Sequence, residues 1–316
     1  MWLSVLMIVG GIACVLWGAG RLTDGAVAIA GRMGVSQIVI GLTVVAMGTS
    51  MPEFCVSMVS AVKGTTAMAV GNVIGSNIFN SMLIVGTAAM LTPITILSST
   101  VRKDIPFAVI ASAVLVLLCV DGDVSRWDAL VLLVMFVMFM YTTLRSALAD
   151  RKGGKDEADE KQKDIPPMWK AALMMIVGLT CLVAGSEVFV RGASAVATAW
   201  GISDAVVGLT VVAMGTSMPE LATTVVSARK GNSGIAIGNV LGSNVFNILL
   251  VLGASGVVTP LSTFALTWVD LVVLLLSAAL LWLWTYTGKR DRVDRGEAAL
   301  MLLLFFGYYT WLFIKL

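Results

Sequence analysis

The run GLTVVAMGTSMPE stands at residues 41–53 and again, letter for letter, at 208–220. The offset of 167 residues then holds without a gap. GNVIGSNIFN at 71–80 returns as GNVLGSNVFN at 238–247, and Thr92-Pro93 returns as Thr259-Pro260. Weaker matches carry the repeat backward, Gly18 onto Gly185, Gly25 onto Gly192 and Gly34 onto Gly201. The chain is therefore two related halves joined head to tail, and whatever one half builds the other must build again.

What each half builds follows from hydropathy. With 58% apolar residues, 13% charged residues and a mean hydropathy of +0.95, 316 residues cannot clothe a water-soluble globule; the outer surface faces hydrocarbon. Apolar runs near 20 residues cross a core of about 30 Å at 1.5 Å per residue. They place five spans in each half: residues 2–20, 36–62, 68–91, 105–121 and 127–148, then 169–188, 203–229, 235–258, 265–286 and 296–315. The first run has no basic stretch before it and no small-residue cleavage site after it, so it reads as a span and not as a removed signal. Residues 149–167, ADRKGGKDEADEKQKDIPP, read as a solvated linker between a first repeat, 1–148, and a second, 168–316.

Five spans per half is an odd number, so the second half enters the membrane from the opposite side. The expected fold is an all-α integral membrane protein of ten transmembrane helices in two inverted five-helix repeats. Transporters built this way hold their substrate near mid-membrane, at the repeat interface, on interrupted helices. Sidedness follows from lysine and arginine. One side would hold Lys63, Arg126, Arg191 and Lys315, and the other the remaining seventeen of 21. Cytoplasmic loops carry the excess, which puts both termini outside and the linker, with Arg151, Lys152, Lys155, Lys161 and Lys163, in the cytoplasm.

Histidine is absent, which removes imidazole sites for zinc, copper or nickel. Cys14, Cys55, Cys119 and Cys181 lie in apolar runs without CxxC spacing and read as small packing residues. Acidic residues fall mostly at predicted span ends, such as Asp24, Asp128, Glu187, Asp204 and Asp270. Glu53 and Glu220 are the exceptions, at equivalent positions within spans, where a carboxylate costs several kcal/mol unless something pairs with it. A bound cation would. Pro52 and Pro219 deprive the carbonyls of Gly48 and Gly215 of helical donors and kink the chain; such carbonyls need water, protein or a cation. Thr49 and Glu53 stand at i and i+4 with Ser50 flanking, and Thr216, Ser217 and Glu220 repeat the arrangement. On the next span Asn72, Ser76 and Asn80, matched by Asn239, Ser243 and Asn247, form a polar stripe at a spacing of four. Carboxylates, hydroxyls, amides and carbonyls make an all-oxygen donor set, which suits calcium, sodium or magnesium. The glycines of GNVIG and GNVLG read as close helix packing.

The paired motifs, G-T-S-x-P-E on one helix and G-N-x-x-G-S-N-x-x-N on the next, resemble the α-repeats of the cation/calcium exchanger superfamily. The resemblance is strongest to its prokaryotic sodium/calcium exchanger branch, which includes the YrbG-type inner-membrane proteins. It implies that the first helix of each half, before Arg21 and around Gly185, gates access by sliding over a core. It further implies a ligand set: Glu53 and Glu220 shared by calcium and sodium, the carbonyls of Thr49, Thr216, Ala46 and Ala213, the hydroxyls of Ser50, Ser76, Ser217 and Ser243 at sodium sites, and Asn80 and Asn247 at the middle. One departure stands out. Relatives in this superfamily, the potassium-dependent branch among them, often carry Asp at the position of Asn247, and Asn in both halves argues against potassium dependence and, less strongly, against proton coupling.

The expected function is secondary active exchange of sodium for calcium across the inner membrane. The alternative is a proton-coupled or otherwise selective cation antiporter of the same fold. An intramembrane enzyme has no support, because no histidine is available for HExxH or a Ser-His pair. A passive channel would be told apart by flux that needs no counter-ion. No resident cofactor is expected. The partners are calcium and sodium as cargo and the lipid bilayer, with no nucleic acid and no obligate protein partner indicated.

Overall fold

A computed structural model describes residues 2–153, 165–200, 213–264, 266–287 and 290–315. The described residues are overwhelmingly helical. In chain order the helices are α1 (Trp2–Met33), α2 (Gln37–Thr49), α3 (Met51–Val62), α4 (Thr66–Leu91), α5 (Ser98–Arg102), α6 (Asp104–Leu118) and α7 (Arg126–Gly153), then α8 (Met168–Ala199), α9 (Ala213–Thr216), α10 (Met218–Arg229), α11 (Ser233–Val258), α12 (Trp268–Trp284) and α13 (Arg295–Lys315). The start of the expected span 203–229, residues 208–212 of the repeated motif, Asp204 and linker residues 154–164 lie outside the described residues.

Two spans are longer than hydropathy indicates. Helices α1 and α8 run 32 residues each, about 48 Å at 1.5 Å per residue. A helix of that length crosses a ~30 Å core only by tilting or by projecting beyond it. Hydropathy stops at Arg21 and Glu187, whereas the helices continue on alanine, valine and glycine. Helices α6 and α12 are shorter, at 15 and 17 residues.

The inversion is visible where α1 meets α8. A Cβ added at Gly18 would lie 2.7 Å from the carbonyl of Gly178, one at Gly11 2.8 Å from that of Gly185, one at Gly25 2.7 Å from that of Ala171, and one at Gly192 2.8 Å from that of Ser4. As the residue number rises on one helix it falls on the other, so two helices related by the duplication pack antiparallel. Glycine every seventh residue lets the backbones touch.

The same symmetry recurs in two short antiparallel clasps. Strand β1 (Ile94–Thr95) pairs with β4 (Arg292–Val293), and β2 (Asp123–Val124) pairs with β3 (Leu261–Ser262). Connections that the expected topology puts on one side of the membrane do meet. Lys230 bonds Asp24 at 2.6 Å, and Arg32 donates to the carbonyls of Ile165 and Pro166. Arg126, from the opposite set of connections, donates to the carbonyls of Val257 and Val258.

Burial divides the helices into two classes. In α11 and α4, 94% and 78% of the most apolar window is buried, against 17–28% in α1, α7, α8 and α13. The outer helices present Trp2, Leu117, Leu303 and Phe306 outward, as lipid-facing surfaces do. Only the centre is shielded well enough to keep polar side chains. Two acids at helix ends have ordinary work: Asp128 caps α7 through Ser125, and Asp270 closes a capping box with Thr267 and accepts from Tyr308; Glu187, expected at a span end, lies inside α8 and pairs with Arg191. Of the cysteines, Cys119 is buried and Cys14 and Cys181 partly so, but Cys55 is exposed, so packing does not describe it.

Candidate functional site

The site begins where the motif helices break. Between α2 and α3 the chain bends by 48°, and Ser50 sits at the joint with φ −85° and ψ 7°. Ser217 occupies the same joint between α9 and α10, with φ −89° and ψ 7°. Pro52 and Pro219 each stand in the first turn of the following helix, where the missing N–H is tolerated. Thr49 stands on the last turn before the break, and its hydroxyl donates to Asn239 Oδ1 at 3.0 Å, in the other half of the molecule.

Glu53 and Glu220 are 1% and 0% exposed, and each is held from across the repeat boundary. Ser217 donates to Glu53 Oε1 at 3.0 Å, and Ser50 donates to Glu220 Oε1 at 2.9 Å. The two contacts are images of each other under the 167-residue offset. Ser243 reaches Glu220 Oε1 at 3.5 Å, and Ser76 lies 3.4 Å from the Ser217 hydroxyl. Asn72 and Asn239, at the head of the polar stripe on α4 and α11, staple the motif helices together. Asn72 donates to the Glu53 carbonyl and to Ser57, and Asn239 to the Glu220 carbonyl and to Thr224.

Among the described residues, four carboxylate and amide oxygens are buried without a hydrogen-bond donor: Glu53 Oε2, Glu220 Oε2, Asn80 Oδ1 and Asn247 Oδ1. They are two symmetric pairs, all acceptors. Unpaired buried acceptors are costly unless a donor or cation meets them, and two carboxylates with two amide oxygens suit a hard cation. Ala46 and Ala213 stand at the start of the short helical turn before each break. The Ala46 carbonyl already accepts Ser50 N–H at 3.0 Å and the Thr49 hydroxyl at 3.3 Å. Thr216 lies in α9 and has polar partners.

A family model described as sodium/calcium exchanger protein matches residues 3–145 and 170–314, nearly all of both halves. The chain belongs to the sodium/calcium exchanger family. Among its relatives, CaxA of Alkalimonas amylolytica is 35% identical over 320 residues, covering 99% of each chain. The inner membrane protein YrbG of Escherichia coli is 33% identical, covering 99% of this chain and 96% of its own. A solved structure of the sodium-calcium exchanger NCX_Mj superposes with a TM-score of 0.85 at 30% identity, over 98% of each chain. The family is one of transporters, which sets aside the enzymatic reading.

In this exchanger-family chain several polar residues at the centre escape a reading by spacing. Asn77 and Asn244, each one residue after a motif serine, are buried and bonded to Asn247 and Asn80. Their identity in both repeats was the available signal. The helices also widen into π turns at Phe79–Ile84 and Asn247–Leu252, a feature frequent at functional sites that no residue pattern announces. Gly238 and Gly242 do pack closely, their added Cβ atoms meeting Ile38 and Leu42 carbonyls at 2.8 and 2.6 Å. The neighbours equivalent to these for Gly71 and Gly75 fall largely on residues outside those described.

Proposed function

We propose that this chain exchanges sodium for calcium by alternating access, in the inner membrane, with both termini outside and the linker cytoplasmic. The observation that carries the reading is the set of four symmetric acceptor oxygens on Glu53, Glu220, Asn80 and Asn247. With both glutamates ionised the cage carries −2. One calcium ion neutralises it, and sodium needs two ions to do the same. An empty cage is expensive to move through low dielectric, whereas either cargo makes it nearly neutral. Competition for one pair of carboxylates thereby couples the two fluxes, and the ions are cargo, not resident cofactors.

A route to the cage is compatible with this. A cavity of about 740 Å³ lies between α8, α3 and α9, lined by Pro52, Val56, Leu179, Glu187, Gly215 and Thr216. At the related place beside α1 the cavity is about 250 Å³ and apolar, lined by Ile12, Leu16 and Ala222 among others. On this reading α1 and α8, joined by their glycine seam, slide together to open one cavity and close the other.

Calcium-45 uptake into vesicles under imposed sodium, potassium and proton gradients, one at a time, tests the assignment. Uptake driven by outward sodium alone is expected. Uptake driven by protons with sodium absent would transfer the coupling to protons and leave the fold and the two glutamates in place. Uptake that needs no counter-ion would indicate a channel.

A further inference from the structure

The cage amides could present either end to a cation, and only the oxygen end helps. Asn77 donates through Nδ2 to the backbone carbonyl of Asn244 at 3.3 Å. A carbonyl can only accept, so this contact fixes the Asn77 amide with its oxygen turned the other way. There Asn77 Oδ1 accepts from Asn247 Nδ2 at 3.3 Å. The amino group of Asn247 is thus engaged outside the cage, and its Oδ1, which has no donor, is the atom left to face a cation. A second chain runs across the pseudo-two-fold, ending on a serine hydroxyl, which can accept or donate, where the first ends on a carbonyl. Asn244 Nδ2 donates to Ser81 Oγ at 2.7 Å, and Asn244 Oδ1 accepts from Asn80 Nδ2 at 3.1 Å. Asn80 Oδ1 is the atom that remains.

We infer that Asn77 and Asn244 are positioning residues that set the polarity of the cage amides, Asn77 for Asn247 and Asn244 for Asn80. The inference rests on the proposed cation site. It adds that cation affinity depends on two asparagines that do not themselves touch the ion. Without its partner, an amide can rotate and turn N–H groups toward the cation, which repels it.

A packing role and a positioning role respond oppositely to substitution. Leucine at position 77 keeps the volume and removes both hydrogen bonds. Aspartic acid in its protonated form can still donate to the Asn244 carbonyl and accept from Asn247. Calcium-45 uptake into sodium-loaded proteoliposomes gives the half-saturating calcium concentration for each variant. Asn77→Leu should raise it about tenfold, the scale of one buried, charge-directed hydrogen bond, while Asn77→Asp stays within about twofold of wild type. In an Asn247→Ala background Asn77→Leu should add no further loss, whereas in an Asn80→Ala background its full effect should persist. Should Asn77→Leu fail to insert, Ser81→Ala decides the matter on the other chain, with a loss that vanishes in the Asn80→Ala background. Full additivity of Asn77→Leu with Asn247→Ala, or leucine tolerated as well as aspartic acid, overturns the positioning role and leaves the cation site standing. If Asn247→Ala and Asn80→Ala both leave the half-saturating concentration unchanged, the proposed site itself fails and the positioning role with it.

Discussion

Glu220→Gln is the sharpest perturbation of the proposed cage, because the structure fixes where the new amide goes. Ser50 donates to Oε1, so the glutamine carbonyl keeps that place and its NH₂ falls where the donor-free Oε2 stands. The variant changes the cage from −2 to −1 and replaces a cation-facing oxygen with a donor. A calcium ion in it then leaves one positive charge buried and unpaired. Breaking a buried charge pairing in this way costs about 3–5 kcal/mol, or roughly two to four decades of affinity at 1.4 kcal/mol per decade. Calcium-45 uptake into sodium-loaded proteoliposomes should therefore fall to background at calcium concentrations that saturate the wild type. Gel filtration should show the same monodisperse protein, since no packing changes. Glu53→Gln should match it, because Ser217 holds Glu53 as Ser50 holds Glu220. A −1 cage is still balanced by one sodium ion, so sodium–sodium exchange should persist. Calcium half-saturation within tenfold of wild type in both variants would place the cage elsewhere and refute the charge argument.

Three further expectations follow from other parts of the molecule. Alkaline phosphatase fused after Leu316 should be active and a GFP fusion dark, and the reverse result would overturn the assigned topology. Gly178→Ala puts a Cβ 2.5 Å from Leu22 N and 2.7 Å from the Gly18 carbonyl, an overpacking that costs about 1–3 kcal/mol; thermal unfolding in detergent should show the loss, while Gly10→Ala, with open space at its Cβ, should leave the melting temperature unchanged. Asn247→Asp should make calcium transport pH-dependent, resembling wild type at acid pH, where the added carboxyl holds a proton and the cage stays at −2. It should depart from wild type as pH rises and the cage reaches −3; a flat pH profile from acid to alkaline would show that position 247 lies outside the cage.

The repeat made most of this fold legible, and its limits are physical. A gap-free duplication with an odd number of spans dictates inversion, which the antiparallel glycine seam between α1 and α8 displays. Glu53 and Glu220 stood out because a carboxylate inside a span needs a partner. Spacing along one helix could not report that the break at Ser50 and Ser217 hands each carboxylate to a serine of the opposite half. Contacts between halves have no sequence spacing, so the cross-repeat pairs of Ser50 with Glu220 and Ser217 with Glu53 were invisible; the clamp by Asn72 joins two helices of one half, which the spacing along either helix does not report. The lengths of α1 and α8 were missed for a different reason. Hydropathy reports where lipid ends, and the helices continue past that boundary at no penalty in backbone hydrogen bonding.

The duplication is strict at the centre and relaxed at the rim, and the difference bears on how an alternating-access machine rests. At one rim Thr23 of α1 bonds Ser227 of α10 at 2.9 Å, and Asp24 pairs with Lys230. The related positions at the other rim are Val190, Arg191, Ser60 and Lys63. Valine has no hydroxyl to bond a serine as Thr23 does, and two cations stand where an acid and a base attract. Arg191 turns instead to Glu187 on its own helix. The cavity beside α8 is the larger of the two, and it lies on the side without the cross-helix pair. A fully symmetric pair of repeats would give the two orientations of α1 and α8 equal energy. The buried hydrogen bond between Thr23 and Ser227, about 1 kcal/mol on its own, is enough to weight one orientation several-fold over the other. The exposed ion pair adds less. Identity at the cage keeps its side chains the same in both halves, while the cross-helix hydrogen bond and ion pair stand at one rim and have no counterpart residues at the other.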